Sequence, residues 1–235
     1  MNVSLNAAKN GAKVGVFSLE MSREQLALRL LASEAEIDAH RLRLGLYTEA
    51  EEQRIIDSIG RLSELPVFID DTPFQTLVEM RSKSRRLSLE TGLDLLIVDY
   101  LQLIQGKGRG DNRVQEIGEI SRSLKGMARD LGVALLTCSQ LSRAVEGRTG
   151  HRPQLSDLRD SGSIEQDADV VMFMHREDRD YTVEEWDQQF PGKIYPKNIA
   201  EIIVAKHRNG PIGTMKLIFR DNLVRFDSMV SAENF

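Results

Sequence analysis

The 235-residue chain has a single cysteine, Cys138. One cysteine excludes a disulfide within the chain, and its place in an apolar run points to a reducing compartment. No apolar stretch approaches the length that crosses a bilayer, and the first residues lack the pattern of a signal peptide. The expectation is a cytoplasmic, soluble protein with no membrane partner. Positive charge is also short: 31 Lys and Arg stand against 36 Asp and Glu, a net charge of −5 at pH 7. Without a global basic field, contact with nucleic acid would be confined to a loop or a channel.

The most informative stretch present is GLDLLIVDYLQLI, Gly92 to Ile104. Four apolar residues, Leu95 to Val98, lead to one carboxylate, Asp99. Continuous apolar runs read as buried parallel strands, and ligands bind beyond the carboxyl ends of such strands. Asp99 thus stands where nucleoside triphosphatases place an acid that holds Mg²⁺; the plainer alternative is a strand terminus or helix N-cap.

The same layout recurs. Glu20 follows a run Val14 to Leu19, Asp70 and Asp71 follow Val67 to Ile69, and Ser139 and Gln140 follow Val133 to Cys138. Helical patterns lie between, over Ser22 to Glu34, Thr48 to Leu62, Thr76 to Glu90 and Asp111 to Leu131. The first three open with capping-box spacing, Ser22 with Gln25, Thr48 with Glu51 and Thr76 with Glu79. In the fourth, Val114, Ile117, Ile120, Leu124, Met127 and Leu131 recur at helical spacing. Strands alternating with helices define an α/β fold with a mostly parallel twisted sheet.

After Gln140 the pattern stops until a further run, Val170 to Met174, expected to be another buried strand. The intervening stretch carries Arg143, Arg148, Arg152 and Arg159, cations able to track a phosphate backbone or simply to face water. His175 to Ile199 reads as a polar insertion crossing the surface. Two β-rich runs, Ile202 to Lys206 and Thr214 to Phe219, flank Asn209, Gly210 and Pro211, a hairpin signal; Leu223 to Phe226 completes a meander. Lys206, His207 and Arg208 read as exposed cations at the hairpin tip, either reaching a neighbouring subunit's phosphates or forming an ordinary charged turn.

With FSLEMS, LLIVDYLQLI, CSQLSR, LSDLRDSGSIEQDADVV and AKHRNGPIG in that order, the chain closely resembles the C-terminal RecA-like motor domain of DnaB-type replicative DNA helicases, from about Val14 to Phe226. The resemblance implies a RecA-like P-loop NTPase core spanning 1–235 as one domain, with a DNA-facing loop region over 141–169 and a β-hairpin and meander over 201–227. It implies an ATP-dependent helicase of the bacterial replisome that works with ATP and Mg²⁺ as a homo-oligomeric ring, a hexamer, on single-stranded DNA, with primase and a helicase loader as partners. Carried over residue by residue, it makes Glu20 the carboxylate that polarises the attacking water and Asp99 the Mg²⁺ ligand. Gln140 becomes the γ-phosphate sensor, Arg159, Asp160 and Gly162 the DNA-binding loop, and Lys206 and Arg208 groups acting in trans on the adjacent subunit's ATP.

One departure stands against these matches. The family's G-x-x-x-x-G-K-[ST] loop, whose amides and lysine cradle phosphates, is not in this sequence: Gly106–Lys107 and Gly192–Lys193 are followed by Gly108 and Ile194. Residues Met1 to Lys13 resemble the helix that comes after that loop. The expectation is a truncated piece of an active helicase, inactive by itself; the alternatives are a non-catalytic module that assembles with helicase subunits, and a strand-exchange or clock-type RecA relative.

Overall fold

A computed structural model describes residues 1–106, 113–148 and 150–229, with the backbone alone for 159–161. Two compact units emerge, Met1–Gln140 and Leu141–Phe235.

The first unit alternates helices and strands: α1 (Asn2–Lys9), β1 (Val14–Ser18), α2 (Arg23–Ala35), α3 (Ala39–Arg43), α4 (Glu49–Ser63), β2 (Val67–Asp70), α5 (Leu77–Glu90), β3 (Leu95–Asp99), a 3₁₀ turn Leu101–Leu103, α6 (Arg113–Leu131) and β4 (Ala134–Thr137). The strands form one parallel sheet in the order β2-β1-β3-β4. Crossover helices force this arrangement, because parallel neighbours cannot be joined by tight turns. All three expected capping boxes close, at Ser22, Thr48 and Thr76, so each helix begins where its first free N–H groups find a side-chain oxygen. Gly15 lies inside β1, where a Cβ would meet side-chain atoms of Leu96, Leu87 and Leu93 at 3.1, 3.3 and 3.3 Å. Its bare backbone is what lets α5 close on the sheet.

Burial departs from the expectation of four buried strands. β1 is buried throughout and β3 at Leu96, Ile97 and Val98, whereas β2 and β4 are only partly covered. The two central strands have neighbours on both sides, and the outer two on one. β4 is also shorter than its apolar run: Cys138 lies beyond it and is partly open to solvent. On α6, Ile117, Ile120, Leu124 and Met127 are buried as expected, while Val114 is exposed. The helix start expected at Asp111, like Lys107 and Gly108, lies outside the described residues. Away from the sheet, Ala32, Ala35, Ile37, Leu42 and Ile55 of the α2–α4 region form their own small core.

The second unit contains 3₁₀ segments Arg143–Gly147 and Leu155–Ser161, α7 (Gly162–Asp167), β5 (Val170–His175), a 3₁₀ turn Glu177–Arg179, α8 (Val183–Gln189), β6 (Ile199–His207), β7 (Gly213–Arg220) and β8 (Arg225–Ser228). Its strands form an antiparallel sheet in the order β5-β6-β7-β8, which bears out the hairpin and the meander. Two expectations are corrected. β5 buries only alternate residues, Val171, Phe173 and His175, as a strand covered on one face does. And 176–198 is no loose insertion: Trp186 is buried, ring-stacked among Tyr181, Phe190 and Tyr195, and its indole N–H donates to Lys193 O at 3.1 Å. A fourth capping box, Thr182 with Glu185, starts α8 there.

Candidate functional site

In the first unit, sheet register decides which side chains meet. β1 and β3 are parallel neighbours with Ser18 opposite Asp99, and Leu19 N–H donates to Asp99 O at 2.8 Å. Glu20 therefore leaves β1 at the level where Asp99 ends β3. The chain turns just after it: Ser18 Oγ donates to Met21 O at 2.6 Å, Ser22 caps α2, and Arg23 N–H donates to Asp71 Oδ2 at 3.0 Å. On the other side, Cys138 N–H donates to Val98 O at 2.9 Å and Leu101 N–H to Cys138 O at 3.0 Å. That brings Ser139 and Gln140 to the same sheet end.

The acids at this end are not equivalent. Asp71 accepts from Arg23 N–H, and Asp70 is paired with Lys83 at 2.7 Å and accepts from Gln75 Nε2 at 3.1 Å. Burial would raise the Asp70 carboxyl, but Lys83 and Thr72 hold it below its ordinary value. Both are committed to structure. The Glu20 side chain is exposed and makes no hydrogen bond or ion pair among the described residues. Asp99 stands beside Cys138, whose thiol is pushed above its ordinary range by desolvation and then by the Asp99 carboxylate. So although Cys138 is partly open to solvent, its sulfur faces the sheet end and is no reactive thiolate.

Among the described residues there is no cluster of three or more metal-ligating side chains. A lone carboxylate at a sheet terminus suits Mg²⁺, which keeps most of its waters and takes one or two protein carboxylates together with substrate phosphates. Asp99 fits that demand.

One residue that sequence reasoning passed over is Gln102. Its side-chain amide donates to Ser139 Oγ at 3.0 Å and to Gln140 O at 3.2 Å, and accepts from Gln140 N–H at 3.2 Å. Its only signal in the sequence is its place in the turn after Asp99.

In the second unit, Arg159 and Asp160 fall in the 3₁₀ segment Leu155–Ser161 and Gly162 opens α7; the Arg159 and Asp160 side chains lie outside the described residues. The stretch expected to be irregular is thus made of short helical turns, tied down by a buried acid. Arg148 grips Asp157 with two N–H groups, at 2.9 and 2.8 Å, and donates to Arg152 O at 2.9 Å. Arg152 in turn pairs with Glu201. Two of the four arginines read as phosphate trackers are therefore occupied within the unit, while Arg143 is exposed and has no partner among the described residues. Lys206 and Arg208 do not project freely either. Lys206 Nζ donates to Glu165 O, and Arg208 donates to Gln166 O at 2.7 Å and pairs with Asp169 at 3.4 Å. They satisfy carbonyls that the end of α7 leaves without helical partners.

A parallel sheet flanked by helices, with uncommitted acids at its carboxyl end and an antiparallel sheet following, defines a nucleoside triphosphatase core of the RecA-like class. The family model for the DnaB-like helicase C terminal domain matches residues 1–228, and the chain belongs to that family. It is 49% identical over 221 residues to the replicative DNA helicase DnaC of Bacillus subtilis, covering 93% of this chain and 46% of that protein. Against the replicative DNA helicase DnaB of Geobacillus stearothermophilus the figures are 48%, 93% and 46%. Among solved structures, one of an isolated ATPase domain superposes with a TM-score of 0.86 at 35% identity, over 97% of this chain and 78% of that one. A DnaB-like replicative helicase, from a structure describing its interactions with primase, gives the same TM-score and identity over 96% and 52%. The chain spans about half the length of the curated relatives it matches.

Proposed function

We propose that this chain is the motor domain of an ATP-dependent replicative DNA helicase, a single domain that works in a hexameric ring on single-stranded DNA at the replication fork, with primase and a loader as partners. The observation that carries the reading is the meeting of Glu20, Asp99 and Gln140 at the carboxyl end of one parallel sheet, in a chain of this family. Bound with ATP, Mg²⁺ neutralises charge on the phosphate oxygens. The residues do the rest. Asp99 offers the carboxylate that holds the ion. Glu20, free of internal partners, accepts a proton from the attacking water and aims it. Gln140 presents an amide to the γ-phosphate, and Lys206 and Arg208 act on the nucleotide of a neighbouring copy. Arg159, Asp160 and Gly162 belong to the segment that holds the DNA backbone.

The test is made in rings that turn over ATP. Glu20→Gln keeps shape and hydrogen bonding but cannot take a proton, so turnover should fall by about 10² to 10⁴-fold while nucleotide affinity holds. Asp99→Asn should weaken Mg²⁺-dependent binding as well. Near-normal turnover in Glu20→Gln removes Glu20 from the role.

A further inference from the structure

β4 ends at Thr137, so the main chain at Ser139 and Gln140 has left the ladder that orders it. A side chain takes over the pairing. The Gln102 amide carries a donor and an acceptor side by side, and it meets both main-chain groups of Gln140, accepting from its N–H and donating to its carbonyl, each at 3.2 Å. The same Nε2 reaches Ser139 Oγ at 3.0 Å. Gln102 is itself held. The preceding residue bonds back to Cys138 O at 3.0 Å, and Gln102 O accepts from Arg113 at the start of α6. The Gln140 side chain, by contrast, is exposed and makes no hydrogen bond among the described residues. Its backbone is clamped and its amide is left free.

From this geometry we infer that Gln102 is a positioning residue: it fixes the main chain of Gln140 against the turn that follows Asp99, so that the Gln140 amide is aimed at the nucleotide and moves with the Asp99 turn. The inference rests on the role proposed for Gln140 above. A bond made through a side-chain amide can open without unravelling β3 or β4, whereas a ladder bond cannot. The bracket therefore confers precision on Gln140 while leaving it separable from the core, and small misplacements of such a group are costly to turnover.

Two measurements test it. On the 235-residue chain, Gln102→Met keeps length and apolar volume but loses both polar groups; hydrogen exchange at the Gln140 amide should speed up by about tenfold or more, with the β3 amides of Leu96 to Val98 unchanged. Unchanged exchange at Gln140 overturns the bracket. Should Gln102→Met disturb the β3 amides too, Gln102→Asn, with the same groups one methylene short, takes its place with the same expectation. In ATP-hydrolysing rings, Gln102→Met should lower kcat about tenfold with KM for ATP held, and should have no further effect once Gln140→Ala is present. An equal loss in both backgrounds shows Gln102 acting by another route and overturns the inference. If Gln140→Ala alone leaves kcat intact while the exchange result stands, the sensor role of Gln140 is what has failed, so the two failures are told apart.

Discussion

Asp157 is only 3% exposed, yet its carboxylate is fully engaged, by both N–H groups of Arg148 and by Gln154 N–H at 2.7 Å. The Arg148 guanidinium holds this carboxyl below its ordinary value. A carboxyl depressed in the folded state contributes stability that is present above its unfolded pKa, near 4, and lost as pH falls through the lower folded value. Because Arg148 stays about one-third exposed and can rehydrate, Asp157→Asn should cost about 1–2 kcal/mol at pH 7 rather than the larger penalty of a sealed ion pair. Urea midpoints of wild type and variant should differ by that amount at neutral pH and converge as pH drops below about 4. A gap independent of pH would mean that packing, and not charge, carries the effect. Residues of this kind were not legible in the sequence, where Arg148 looked like a phosphate contact; its partner nine positions away is chosen by the fold. Glu20 and Asp99 were legible because an apolar run ending in an acid states both burial and exit point. Gln102 was not, since nothing local says which main chain a glutamine will meet.

At the scale of elements, local chemistry was readable wherever it was self-contained. Capping boxes at Ser22, Thr48 and Thr76 closed as spaced, and the β6–β7 hairpin formed around its Asn-Gly-Pro turn. The box at Thr182 obeys the same rule but was hidden by the polarity of its surroundings. What could not be read was anything fixed by strand order: that β2 and β4 are outer strands, or that β5 opens an antiparallel sheet with one bare face. The segment Leu155–Ser161 with α7 is the element through which DNA contact is proposed. Phosphate contacts release counterions and carry no sequence information. Arg159→Ala in assembled rings should therefore weaken single-strand binding alike for every sequence, and reduce the slope of log affinity against log salt by about 0.7, the share of one phosphate contact on a single strand. A loss confined to one sequence would indicate base readout and count against this element as a backbone clamp.

At the scale of the whole molecule, a net charge of −5 means that cations must act where they are placed and not through a general field. Arg208 is the sharpest case. Half exposed, it spends part of its guanidinium on Gln166 O and Asp169 of its own chain; a guanidinium has five N–H donors, so the remainder can still meet a phosphate. If it acts on the ATP of an adjacent subunit, Arg208→Ala should suppress hydrolysis at the neighbour while leaving its own nucleotide bound. Rings of Arg208→Ala alone and of Glu20→Gln alone should both be inactive. Mixed rings should regain some activity, because some interfaces then join an intact Glu20 on one subunit to an intact Arg208 on the next. Steady-state hydrolysis across mixing ratios reads this directly, provided that turnover does not need every interface, which wild-type subunits titrated into either mutant will show. Recovery that peaks at intermediate ratios supports action in trans. If mixtures stay inactive while wild type tolerates both mutants, Arg208 serves its own chain, and its bonds to Gln166 and Asp169 are the whole of its role.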